Sequence, residues 1–177
     1  MRKDAKTRRE KLIAAATEMF VEHGMGVALD LVAERAGVGR GTLYRNFVDR
    51  SAMIVAVLET LLDDLARFVE HHRDSPTLFE DFARQQGAAT AFFARTLLAS
   101  GDEEFEKIVA SLRRRIDRLL TDVIERSVAM GVLDPSVTVN DLRIITRMLM
   151  AASNMPGIEP KQAFERALQI VRTGLAR

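Results

Sequence analysis

Apolar residues recur at helical spacing along nearly the whole chain, and no convincing alternating stretch interrupts them. A period of 3.6 buries one stripe of a helix, whereas a half-buried strand needs a period of two. Leu12, Ile13, Ala16, Met19 and Phe20 share one face up to a stop at Gly24. Leu29, Val32 and Ala33 face inward on a short second segment that ends near Ala36, where Gly37-Val38-Gly39 breaks it. A third segment, Arg40 to Phe47, is too short to be stable alone and must rely on packing. Asp49 is placed to cap a long helix carrying Met53, Val57, Leu58, Leu61, Leu65 and Phe68.

Serine then proline at Ser75-Pro76 predicts the next start, with a helix running through Phe79, Phe82, Phe92, Phe93 and Leu97 to Ser100-Gly101. Another is expected from Asp102 to about Met130, ended by Gly131. Thr138 to Asp141 has the form of a capping box and opens a helix to about Asn154. Glu159-Pro160 starts the last one. The expected architecture is all-α: an N-terminal three-helix unit over residues 1–48, then a helical bundle over 49–177 whose first helix, 49–73, connects the two.

Composition narrows the chemistry. The 177 residues include no cysteine, which excludes disulfides, thiolate nucleophiles and zinc–thiolate sites. Three histidines, two of them the adjacent His71 and His72, are a poor basis for a metal site. The chain offers no nucleophile–base set, no phosphate loop and no HExxH spacing. Neighbouring acids such as Asp63-Asp64 and Glu103-Glu104 diverge on a helix and read as surface charge. The expectation is therefore a protein that is not an enzyme and that needs no cofactor or metal. The charged N-terminus is not followed by a signal-peptide core, and no apolar run is long enough to span a bilayer, so a cytoplasmic location is expected.

Charge is unevenly placed. Residues 1–50 hold ten Lys/Arg against seven Asp/Glu, a net +3, while the other 127 hold sixteen against eighteen, a net −2. Six of the first eleven residues are basic. Such asymmetry suits one end that meets phosphate.

The stretch Leu29 to Arg50, LDLVAERAGVGRGTLYRNFVDR, reads as a helix-turn-helix. Val38 sits where an apolar side chain must fill the gap between the helices, and small Ala33 allows a close crossing. Leu43 and Phe47, four apart, would anchor the second helix. Arg40, Gly41, Thr42, Tyr44, Arg45 and Asn46 then remain outward. Arg, Thr and Asn suit base edges in a major groove, and a tyrosine hydroxyl can donate to phosphate. Gly41 would let the backbone come close to a duplex. Arg50, with the free N–H groups at the start of its helix, and Arg8 in the basic N-terminus are further candidates for phosphate.

The run Ala33 to Phe47, AERAGVGRGTLYRNF, resembles the DNA-binding signature of the TetR family of one-component regulators. Arg8 to Ala16 and Phe20 to Gly24 resemble that family's first helix, and the strong likeness covers about Arg8 to Glu59. It implies a homodimer on a two-fold-symmetric operator in duplex DNA, a divergent C-terminal ligand-binding and dimerisation domain, and repression relieved by ligand. It also implies that Arg40, Thr42, Tyr44, Arg45 and Asn46 lie at or near DNA. One departure concerns the start of the second helix. Val27-Ala28-Leu29-Asp30 lacks the Thr or Ser that many members use there to cap and to touch phosphate, although Asp30 could still cap.

In the body, the helices over 138–154 and 160–175 carry apolar faces wide enough to need more than one neighbour. Leu142, Ile145, Leu149, Phe164, Leu168 and Val171 are candidates for a dimer interface, or else they complete the subunit's own core. Phe68, Phe92, Phe93, Phe105, Met148 and Met155 fit either an adaptable pocket for a small apolar or aromatic effector or plain core. The competing functional reading is a helical adaptor that binds proteins and keeps its helix-turn-helix only as a packing unit.

Overall fold

The computed structural model describes residues 2–85, 103–153 and 155–175. Among them are eight helices and no strand: α1 (Arg2–His23), α2 (Leu29–Arg35), α3 (Arg40–Asn46), α4 (Arg50–His71), α5 (Leu78–Gln85), α6 (Glu103–Ala129), α7 (Val139–Ala152) and α8 (Pro160–Leu175). None is long and apolar enough to cross a membrane. The described residues form two compact units, one of 2–63 with 103–112 and the other of the remainder, so the division falls inside α4 and α6.

In the first unit α1 packs on α2 and α3, which also pack on each other. Leu12, Ala15, Ala16 and Phe20 of α1 are buried, as are Val32 and Ala33 of α2, Leu43 of α3, and Met53 and Val57 of α4. Their spacing is the helical period read in the sequence. Ile13 and Met19 lie at the margin of that face and are half-buried.

The turn between α2 and α3 is set by local chemistry. Gly37 adopts φ +66°, which an L side chain rarely tolerates. Its N–H donates to the Glu34 carbonyl at 3.0 Å, and that of Val38 donates to the Ala33 carbonyl at 3.0 Å. This paired closure is a Schellman motif, and it satisfies carbonyls that the helix end would orphan. Gly131 (φ +71°) ends α6 in the same way. At the other end of α2, Ala28 occupies the N-cap with no side-chain bond. Asp30 does not cap; its carboxylate is engaged by Arg40 instead. Asp49 does cap α4, accepting from the Ala52 N–H at 2.8 Å.

The second unit has its own core. Leu65 and Val69, Leu78, Phe79 and Phe82, Leu120 and Val123, Leu142, Ile145 and Leu149, and Leu168 form one buried cluster. Helix α5 begins at Leu78, later than Ser75-Pro76 suggested. Ser75 closes a turn by accepting from the Leu78 N–H at 3.0 Å, while the Thr77 hydroxyl reaches Asp81 at 2.7 Å. The expected continuation of that helix through Phe92, Phe93 and Leu97 lies outside the described residues. The capping box of α7 is present: the Asp141 N–H donates to the Thr138 hydroxyl and the Thr138 N–H to the Asp141 carboxylate. Across this unit Arg84 of α5 forms two bonds to Glu165 of α8, at 2.9 and 3.1 Å. The bond raises the Arg84 pKa and lowers that of Glu165. Arg143 of α7 pairs with Asp117 of α6.

Candidate nucleic-acid interface

Two turns of helix cannot hold themselves together, so α3 owes its form to anchoring. Leu43 is completely buried, and Phe47, just past the last turn, is nearly so. With Leu43 and Phe47 turned inward, Arg40, Gly41, Tyr44 and Arg45 are exposed, and Thr42 and Asn46 are half-buried. Tyr44 is 52% exposed, a large fraction for an aromatic ring with no role in the core.

The outward groups are partly organised among themselves. Arg45 donates to the Thr42 hydroxyl at 3.1 Å, and the Asn46 amide donates to the Thr42 carbonyl at 2.7 Å. The Nε of Arg40 donates to Asp30 at 2.6 Å, and its Nη2 pairs with the second carboxylate oxygen. Gly41 is not in the left-handed region, and a Cβ there would meet only the tip of Arg45, at 3.7 Å. Nothing within the fold therefore requires glycine at this position.

Arg8 is exposed on α1. Arg50, read from the sequence as a cation for phosphate, is half-buried. Its Nη1 donates to the carbonyls of Met25 at 2.5 Å and Val27 at 2.7 Å, which ties down the loop between α1 and α2.

Two participants were not anticipated. Arg9 lies 4.5 Å over the Phe47 ring and donates to the Asn46 carbonyl at 3.4 Å. The spacing Arg9, Leu12, Ala16 would have placed it on the buried face. Asp30 had no such signal, because only the folded turn brings it to a residue ten positions away.

Comparison with known proteins agrees with this geometry. The family described as "Bacterial regulatory proteins, tetR family" (TetR_N) matches residues 12–57, from the inner face of α1 to the first turns of α4. The match covers the helix-turn-helix and its flanking helices, so it is this N-terminal segment that is similar to the TetR family. An HTH-type transcriptional regulator of Staphylococcus aureus (strain USA300) is 36% identical over 74 residues, 41% of this chain and 38% of that protein. The match thus spans well under half the length of such curated relatives. The fold likeness reaches further. A TetR transcription regulatory protein from Mycobacterium vanbaalenii superposes over 99% of both chains with a TM-score of 0.74 at 22% identity. A TetR transcriptional regulator from Streptomyces coelicolor covers 95% of this chain and 98% of its own, with a TM-score of 0.63 at 27% identity.

In the body of the chain the structure places the expected interface and pocket residues as follows. Leu142, Ile145, Leu149 and Leu168 are buried in the second unit's own core, so they offer a second chain no area to cover. Phe164 and Val171 are half-buried against that core. The apolar residues that α7 leaves outward are Ile144, Met148 and Ala151, beside the exposed Asn140, Arg143 and Arg147, and α8 adds the apolar Ile170. Of the pocket candidates, Met148 and Met155 are exposed, at 56% and 52%. Phe105 is buried in the first unit. Phe68 belongs to the second, stacked on His72 with ring centres 4.1 Å apart. Phe92 and Phe93 lie outside the described residues.

Proposed function

We propose that this chain is a sequence-specific DNA-binding transcriptional regulator that works as a homodimer on a two-fold-symmetric operator. The observation that carries the reading is α3: a seven-residue helix with Leu43 and the adjoining Phe47 committed to the core and Arg40, Gly41, Thr42, Tyr44 and Arg45 turned outward. Arginine and threonine donors on an exposed short helix match base edges in a major groove, with Tyr44 and Arg8 available to phosphate. Glycine at 41, unneeded by the fold, suits a backbone that must come close to another molecule.

The dimer reading is supported by the apolar residues exposed on the last two helices, Ile144 and Met148 on α7 and Ile170 on α8. A two-fold axis would set two copies of α3 about one turn of duplex apart. Family resemblance adds that the protein is a repressor released by a small apolar or aromatic effector held in the body. Such release requires the effector to bind one conformation more tightly than the other.

Selection of bound duplexes from fragmented genomic DNA, at a stated moderate salt concentration, tests the proposal. Recovery of a shared palindromic site with half-sites about one helical turn apart is the expected result. Weak, steeply salt-dependent binding with no shared site would overturn it and favour the protein-binding adaptor.

A further inference from the structure

We propose that Asp30 is a specificity-determining residue, a buttress that fixes Arg40 in a base-reading orientation and withholds it from the phosphates. The inference rests on the DNA-binding reading above and concerns how that site chooses its sequence.

The geometry is side-on. The Asp30 carboxylate takes one complete edge of the guanidinium, Nε to one oxygen at 2.6 Å and Nη2 to the other. An arginine carries five donors in a rigid fork. With the Nε–Nη2 edge occupied, the end of the fork still presents Nη1 and the second hydrogen of Nη2 as a parallel pair. That pair matches the O6 and N7 acceptors of guanine.

Both partners are solvated, with side chains 73% and 36% exposed. Exposed ion pairs contribute little to folding, so stability gives a weak reason for this one. Its effect on the charge field is larger. A carboxylate beside Arg40 lowers the net charge the helix offers to the backbone, and it ties down a side chain that would otherwise sample many phosphates. Asp30 thereby trades sequence-independent attraction for a preset hydrogen-bonding face.

The test uses the full chain and the duplex selected by the wild type. Arg40→Ala first identifies the base pair that Arg40 reads, as the position whose preference disappears. Asp30→Asn, which keeps an acceptor but removes the charge, should lower the guanine preference at that same position by about tenfold. It should also tighten binding to random duplex and steepen the salt dependence by about one unit of log–log slope. In the Arg40→Ala background Asp30→Asn should change neither quantity. Asp30→Glu should recover part of the preference. If Asp30→Asn does not fold, Asp30→Ser carries the same expectations. A wild type that selects a site whose base preferences survive both Arg40→Ala and Asp30→Asn overturns the buttress and leaves the regulator intact. So does a preference lost in Arg40→Ala but unchanged in Asp30→Asn. A wild type that selects no shared site overturns both.

Discussion

The guanidinium of Arg9 lies over the ring of Phe47, 4.5 Å from its centre, and reaches the carbonyl of Asn46 at 3.4 Å. A residue near the start of α1 thus clamps the C-terminal end of α3. The cation sits over the ring, where the ring's electron-rich face attracts it. Arg9→Ala should cost about 1 kcal/mol in stability, read by denaturant unfolding. It should also weaken binding to the selected operator, because α3 loses a support. Arg9→Lys keeps the charge without the planar guanidinium and should recover only part of both. Equal affinity in wild type and Arg9→Ala would mean that α3 needs no such clamp.

Two glycines only four positions apart should respond in opposite senses. Gly37 is held at φ +66°, so Gly37→Ala should destabilise the protein by about 1 kcal/mol. Gly41 has ordinary helical freedom and room for a methyl group. Gly41→Ala should therefore stabilise the fold by up to about 1 kcal/mol through helix propensity. It should nevertheless weaken operator binding, since the added methyl faces outward. Thermal melting and operator titration on the same preparations check the pair. A Gly41→Ala protein that binds DNA as well as wild type would remove the close-approach argument.

On α7, neighbouring residues should separate association from folding. Met148 is largely exposed and Leu149 fully buried. Met148→Lys, alone or with Ile144→Glu, should leave the melting of the second unit's core nearly unchanged while shifting sedimentation toward monomer. Leu149→Ala should cost about 2–5 kcal/mol as a core cavity. A dimer that withstands both surface charges would place its interface elsewhere.

Acid should loosen the second unit through two carboxylates. Asp141 is held below its usual 3.8 by the Thr138 hydroxyl, then by the Thr138 N–H. Glu165 is held below 4.5 chiefly by its bond to Arg84. A carboxylate with a depressed folded pKa contributes stability that is fully present above its unfolded value. That contribution is lost as pH falls through the folded one. Both contributions should be intact at neutral pH and disappear at pH values below about 4. In Thr138→Ala and Arg84→Met, stability should depend less on pH over that acid range. An unchanged acid transition in both variants would assign acid loss to other groups.

Much of the molecule was legible in advance because its signals are local. Gly37 and Gly131 terminate their helices through a backbone angle each residue adopts by itself, and the Thr138–Asp141 box closes within one turn. The outward set on α3 could be read because Leu43 and Phe47, four apart, leave only one way to bury a short helix. Start signals worked less well where two competed: Ser75 closes a turn, and Thr77 then serves the start of α5.

By itself the sequence determined the helical elements, the glycine turn and the identity of the face α3 turns outward. Each of these follows from spacing within a few residues and from the backbone freedom of single positions. Only the tertiary structure decided that Asp30 holds Arg40, that Arg9 clamps Phe47 and that Arg50 ties the loop carbonyls of Met25 and Val27. It also decided that α7 buries Leu142, Ile145 and Leu149 and leaves Ile144 and Met148 outside. Periodicity shows that a helix has an apolar side. How much of that side is covered depends on the helices packed against it, which are distant in the chain and meet only on folding.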